Sequence, residues 1–416
     1  MKKFLLIPFT LLLLISCNNL VDIIFPEFRD GSILEGTTPI PDFSKSRMEG
    51  VYQISEGSEF FKDKAVVKWV DPDLLSIFCE KDGAYIVLRG GVSGSSLLFE
   101  GTWRYSYGTE TGLVRLTIPA DKGGTELLGD STANFTVEFE GNFGEGNDQP
   151  GKSLKINFTR KFSSSVINRD FKIVAHRGGG RNSDYLGVSE NTNDMIALAE
   201  QRGSNGIEID IKLSKDGIPF IYHDSDINLR LVQKSIIWGK IEDFTFLQLK
   251  TLITLKHGEL IESLDEMLEY VLNNTKLKFV WLDMKSGKDD MAKVIPIQQE
   301  YLQRAAAMGR DIEILIGLPT QDKVDQFLAV PNFKDINSLC ELSTDIARQT
   351  NAEVWGPRWT LGLQTPEVDA MHSEGREIIT WTLDDPNWIK SFVQDGDFDG
   401  ILTNYPTAVA YSYYVQ

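Results

Sequence analysis

Two carboxylates lie on alternate positions of Gly206-Ile207-Glu208-Ile209-Asp210-Ile211. Side chains alternate faces along a strand, so Ile207, Ile209 and Ile211 share one face and Glu208 and Asp210 the other. The isoleucines suit packing under helices, which turns the carboxylates inward. Two inward carboxylates repel and are costly to desolvate. A bound cation removes that cost, and oxygen-only ligands favour Mg2+ or Ca2+ over Zn2+. Internal arginine or lysine partners would also remove it. The stretch from Phe279 to Lys285 alternates in the same way and puts Trp281, Asp283 and Lys285 on one face. Asp283 could complete a metal site and Lys285 could contact an anionic oxygen; a salt-bridged strand end is the plainer alternative.

Of four histidines in the chain, two directly follow strand-like runs. His176 follows Lys172–Ala175 and His223 follows Pro219–Tyr222. Both therefore fall at strand C-terminal ends, where barrel active sites are built. Two imidazoles can divide general-base and general-acid work near neutral pH. His257 and His372 fall in helix or loop contexts and are given no role.

These side chains need a scaffold. From Phe171 onward, strand-like runs alternate with helix-period segments. The expected strands are Lys172–Ala175, Gly206–Ile211, Pro219–Tyr222, Leu277–Met284, Ile312–Ile316, Glu353–Trp355, Ile378–Leu383 and Gly400–Leu402. Asn193–Arg202, Leu264–Leu272 and Asp322–Leu328 read as helices between them. That pattern predicts an α/β fold, a (β/α)8 TIM barrel over residues 166–416. An open doubly wound sheet is the rival, but no glycine-rich dinucleotide fingerprint follows the first strand. Residues 47–165 read differently. Phe99–Tyr105, Val114–Ile118, Phe135–Phe139 and Leu154–Phe158 alternate at short spacing, and Asp82-Gly83 suits a hairpin turn. A small antiparallel all-β accessory domain is expected there, a sandwich or a lipocalin-like barrel.

Further motifs run in a fixed order: His176-Arg177-Gly178, Glu190-Asn191-Thr192, Ile207 to Asp210, Lys215-Asp216-Gly217, His223-Asp224, Asn228-Leu229-Arg230 and Ile241 to Thr245. Leu264 to Leu268, Trp381-Thr382 and Asp399 to Thr403 complete the set. The ordered set resembles the glycerophosphodiester phosphodiesterase family over essentially all of the second half of the chain and none of the first. The resemblance implies that His176 and His223 are acid and base. It implies that Arg177 binds phosphate and that Glu208, Asp210 and Asp283 bind the metal, with Lys285 completing the site. Glu190 and Trp381 match family positions lining the pocket; helix capping and core packing are their plainer alternatives. The implied reaction is metal-dependent hydrolysis of glycerophosphodiesters to glycerol 3-phosphate and an alcohol. There are departures: Asp283 stands where the family usually has glutamate, Ser189 where proline is usual and Asn404 where aspartate is common. The segment Gly179–Val188 is longer than usual and is expected over the pocket mouth. A phosphodiesterase of another headgroup, phosphoinositol or a lipid diester, remains open, as does a membrane-anchored protein that only binds.

The N-terminus bears on location. Lys2 and Lys3 precede an apolar run from Phe4 to Ile15, followed by Ser16-Cys17. The run is short of the roughly 20 apolar residues a spanning helix needs and reads as a signal peptide over residues 1–16. The cysteine after Ile-Ser resembles the lipobox of bacterial lipoproteins, which implies acylation of Cys17. Residues 17–46 are then a lipidated N-terminus and tether, and the expected location is the bacterial cell envelope, periplasmic or surface-facing. Cys79 and Cys340 indicate no disulfide framework. The formal charge of -18 over 416 residues argues against nucleic acid as a partner. The expected partners are a small phosphodiester and, through the lipid anchor, a membrane.

Overall fold

The computed structural model describes residues 23–129, 135–180 and 183–416. The first half is an antiparallel meander: β1 (Gly50–Glu56), β2 (Lys64–Asp71), β3 (Leu74–Cys79), β4 (Tyr85–Ser93), β5 (Ser96–Arg104), β6 (Thr111–Ile118), β7 (Glu138–Phe143) and β8 (Lys152–Arg160). Each strand pairs with the next, and β8 closes on β1 to make a barrel. Alternation along β5 shows why: Leu97, Phe99 and Trp103 are buried inside, while Leu98, Glu100 and Thr102 are not. The interior is filled by rings meeting edge to face, such as Trp103 on Phe61 at 5.4 Å between centroids. Closure removes exposed strand edges. The Asp82-Gly83 turn joins β3 to β4 with φ of 51° and 61°, the left-handed values that such a hairpin turn requires.

The second half begins with β9 (Lys172–Ala175), β10 (Gly206–Leu213), β11 (Pro219–Ile221), β12 (Val232–Ser235) and β13 (Ile253–Leu255). It continues with β14 (Phe279–Met284), β15 (Glu313–Leu318), β16 (Ser338–Cys340), β17 (Val354–Trp355), β18 (Glu377–Thr380) and β19 (Gly400–Thr403). Among the described residues, β9, β10 and β14 to β19 run parallel in that order, and β19 returns to β9. This is the TIM barrel. Val174, Phe279, Trp281, Leu315, Leu339, Val354, Ile379 and Leu402 fill its lower interior. Ile207, Ile209 and Ile211 face outward against the helices Leu264–Asn274 and Met291–Ala307. Both helices show the apolar spacing of a one-sided surface helix, and the first opens on a Ser263–Glu266 capping box.

Two expectations need correction. Pro219–Tyr222 is not a stave of the barrel. β11 runs antiparallel to the upper end of β10, pairing Ile221 with Ile211 and Pro219 with Leu213. The missing stave is Ser338–Cys340, too short for its alternation to register. Residues 23–46 are also not a free tether. Arg104 donates to the Ile24 carbonyl at 2.7 Å, Arg115 pairs with Asp30 at 2.7 Å, and Thr38 bridges to Val92. Cationic outer positions of the first barrel thus hold a segment whose lack of period had suggested freedom. Cys17 and the apolar run before it lie outside the described residues.

The two barrels share a core. Val66, Phe78 and Tyr85 of the first join Ile173, Ile401 and the last helix, Pro406–Tyr414, in one apolar cluster. That helix buries Ala408, Val409, Ala410 and Tyr413, because it has a barrel on each side and is apolar around most of its girth. Cys79 and Cys340 are buried and unpaired.

Candidate active site

β10 carries Glu208 and Asp210 into the barrel, where both are buried. β14 runs parallel beside it, with Asp210 opposite Asp283. One carboxylate oxygen from each of Glu208, Asp210 and Asp283 lies within 4.8 Å of the other two. Their second oxygens are occupied. Glu208 Oε2 accepts the Arg177 amide at 2.8 Å, and Asp210 Oδ2 accepts Asn191 Nδ2 at 2.8 Å. Asp283 Oδ2 pairs with Lys285 Nζ at 2.5 Å. The remaining three, Glu208 Oε1, Asp210 Oδ1 and Asp283 Oδ1, are buried without a hydrogen-bond partner. Buried carboxylate oxygens are rarely left so, and three carboxylates gathered this closely are what a hard cation needs. The triad therefore fits a divalent ion. Without one, its charges conflict: burial and the neighbouring Asp210 and Asp283 charges push Glu208 well up, and burial raises Asp283. Asp210 stays low despite its burial, because His223, Lys285 and Arg177 face it.

His176 opens the turn after β9. Its Nδ1 lies 2.9 Å from Asn404 Oδ1, and its Nε2 lies 3.8 Å from Glu208 Oε2. Asn404 follows β19, and its Nδ2 donates to Asp384 Oδ2 at 2.6 Å. The amide orientation is set by that carboxylate, so the oxygen faces His176. An oxygen only accepts, so Nδ1 carries the proton and Nε2 keeps its lone pair. Burial, then the Arg177 guanidinium, lower His176 to about 3.

His223 reaches the same rim by a different route from the one its sequence suggests. The hairpin of β11 on β10 lets the Tyr222 amide donate to the Asp210 carbonyl at 3.0 Å, which lifts His223 to the level of the carboxylates. Its Nδ1 lies 2.6 Å from Asp224 Oδ1. Asp224 also accepts from Arg230 at 2.6 and 3.0 Å and from Asn228 at 2.7 Å. Burial opposes ionisation of Asp224, but those donors hold it well below the usual carboxylate range.

Arg177 is buried, with φ of 55°, a strained value for a branched-chain-sized residue and typical of functional turns. Its Nη1 meets Glu190 Oε1 at 2.8 Å, and Glu190 Oε2 accepts Arg230 Nη1 at 2.9 Å. Glu190 is thus a bridge between two cations rather than a helix cap. Trp381 follows β18, donates to the Gly356 carbonyl at 2.7 Å and lies 4.7 Å under Arg358.

Sequence reasoning gave no role to Asn191, Asp224 or Arg230, although all three stood in quoted motifs. Glu341 was missed altogether. It follows β16, the stave not foreseen, and its Oε1 is buried without a partner. Burial and the Asp283 charge raise its carboxyl well above the ordinary range.

Comparison with known proteins bears on this arrangement. A model of the glycerophosphoryl diester phosphodiesterase family matches residues 176–408, more than half of the chain. A glycerophosphodiester phosphodiesterase of Bacillus altitudinis is 24% identical over 250 residues, covering 56% of this chain and 95% of that protein. Glycerophosphodiester phosphodiesterase 1 of Rattus norvegicus is 35% identical over 79 residues, 19% of this chain and 21% of that protein. The chain thus spans about a fifth of the length of the mammalian relatives it matches. The crystal structure of a glycerophosphodiester phosphodiesterase from Parabacteroides distasonis superposes with a TM-score of 0.47 at 21% identity, covering 59% of this chain and 97% of that one.

Proposed function

Because this chain belongs to the glycerophosphoryl diester phosphodiesterase family, we propose that it hydrolyses glycerophosphodiesters to glycerol 3-phosphate and an alcohol. The observation that carries the proposal is the set of three unpartnered carboxylate oxygens below His176 and His223. Glu208, Asp210 and Asp283 would hold Mg2+ or Ca2+. When bound, such an ion supplies Lewis-acid polarisation of a phosphoryl oxygen and makes a nearby hydroxyl more acidic.

The chain's own groups divide the rest. Arg177 and Lys285 hold phosphate oxygens; Glu190 and the β14 register fix where those cations stand. His176, protonated at Nδ1, presents the Nε2 lone pair to the site and takes a proton from the attacking hydroxyl. His223 is held by its Nδ1 contact with Asp224, which fixes the direction of the ring, and it protonates the departing alkoxide. Trp381 forms part of the pocket wall. Incubation with glycerophosphocholine, glycerophosphoethanolamine and glycerophosphoinositol, followed by assay of glycerol 3-phosphate, tests this. Release from none of them contradicts it.

A lipid diester as substrate has one observation in its favour. Leu229, Trp238, Leu361 and Trp388 are large, apolar and exposed, on the segments that follow β11, β12, β17 and β18. We also propose acylation of Cys17 and attachment to the cell envelope. The signal-like N-terminus supports it. The Phe25 ring packs on Gly187. A lipid on Cys17 lies no more than about 29 Å of extended chain from that point.

A further inference from the structure

We infer that the N-terminal barrel is a working part of the active site: Tyr107, on its β5–β6 loop, positions His176 through Asp384 and Asn404. This rests on the reading of His176 as a catalytic group.

Tyr107 Oη donates to the Asp384 carbonyl at 2.6 Å. The Asp384 carboxylate accepts the Thr403 hydroxyl at 3.1 Å, the Asn404 amide at 2.8 Å and Asn404 Nδ2 at 2.6 Å. Asn404 in turn sets the His176 tautomer. The Tyr107 ring also stacks on Tyr405, with centroids 4.0 Å apart and planes 25° apart. One side chain of the first barrel therefore grips both neighbours of the Asn404 side chain, Asp384 across from it and Tyr405 next in the chain.

That side chain is itself well anchored. The Ser106 and Tyr107 amides donate to the Asp82 carbonyl at 3.0 and 3.1 Å. Ser106 Oγ meets Thr407 Oγ1 at 2.7 Å, and Thr407 donates to the Gly83 carbonyl at 3.0 Å. Asp384, by contrast, lies in the irregular segment between β18 and the helix Pro386–Asp395. Partners that orient a functional histidine are needed almost as much as the histidine itself. Here the outermost of them comes from the other barrel.

Tyr107→Phe in the full chain tests this, since it deletes the hydroxyl and keeps the stacked ring. Turnover of glycerophosphocholine should fall about 3- to 30-fold in kcat, with KM unchanged. The loss should vanish in an Asn404→Ala background, because the two act in series. Tyr105→Phe is the control; its hydroxyl donates to the Phe60 carbonyl at 2.8 Å inside the same barrel, and it should leave kcat unchanged. An unchanged kcat in Tyr107→Phe overturns the inference, as does an equal loss in Tyr105→Phe. If the wild-type chain cleaves none of the diesters, the proposed function fails but this inference is still decided. Ring 15N resonances of His176 should show one Nδ1-protonated tautomer in the wild type and a mixture in Tyr107→Phe; identical spectra overturn it.

Discussion

Asp210 on β10 and Asp283 on β14 are Cα partners in a parallel register, and each holds a buried Oδ1 that no protein group satisfies. Glu208, one inward position earlier on β10, adds a third such oxygen. Such a triad is unstable as bare carboxylates and stable around a cation.

Divalent ions should therefore stabilise the fold. At an ion concentration about 100 times the dissociation constant, the gain is about 2.7 kcal/mol, read as a rise in Tm. Asp210→Asn should abolish the rise. An equal rise in wild type and Asp210→Asn places the ion elsewhere.

His176→Ala and His223→Ala should each lower kcat by about 10²- to 10⁴-fold, with circular dichroism unchanged. Loss of the second imidazole on top of the first should cost little more, because the two act as one unit. Full activity in either single variant removes that histidine from the reaction.

Glu190→Gln leaves Arg177 and Arg230 without the carboxylate that joins them. Glu190 is buried, so the change should cost about 3 kcal/mol or more in stability. KM should rise as Arg177 loses its fixed direction. Denaturant unfolding and steady-state kinetics report the two effects separately.

Glu262 supplies a pH dependence away from the site. Burial, only partly offset by the hydrogen bond from the Asn193 amide, raises its pKa from 4.5 to about 7. Between those values the folded chain keeps a proton that the unfolded chain releases, so stability falls as pH rises through that window. Glu262→Gln should thus stabilise the protein above pH 7, by about 1–2 kcal/mol, and make no difference near pH 4. Parallel pH profiles of Tm for the two proteins contradict this.

Much of this architecture was legible because its signals are local. Ile207, Ile209 and Ile211 announced the outer face of β10 by their alternation, and Glu208 and Asp210 followed from it. The antiparallel β character of the first half was legible for the same reason, but its closure was not, because alternation suits a sandwich as well as a barrel. What escaped depends on partners distant in sequence. The Ser338–Cys340 stave is too short to show a period, so Glu341 went unseen with it. His223 was placed at the rim on the premise that Pro219–Tyr222 is a stave; a hairpin delivers it there instead. Asn404 stood out only as a departure from the usual aspartate. Its work between His176 and Asp384 needs the closure of β19 on β9, which no local pattern encodes.

The proposed hydrolysis depends on an ion held by Glu208, Asp210 and Asp283. Its most direct test is glycerol 3-phosphate release from glycerophosphocholine by chelator-treated protein, with Mg2+ or Ca2+ then restored in steps. No turnover is expected after chelation, with recovery on adding the ion in the wild type and none in Asp283→Ala. Undiminished turnover after complete removal of divalent ions, or full recovery in Asp283→Ala, would contradict it.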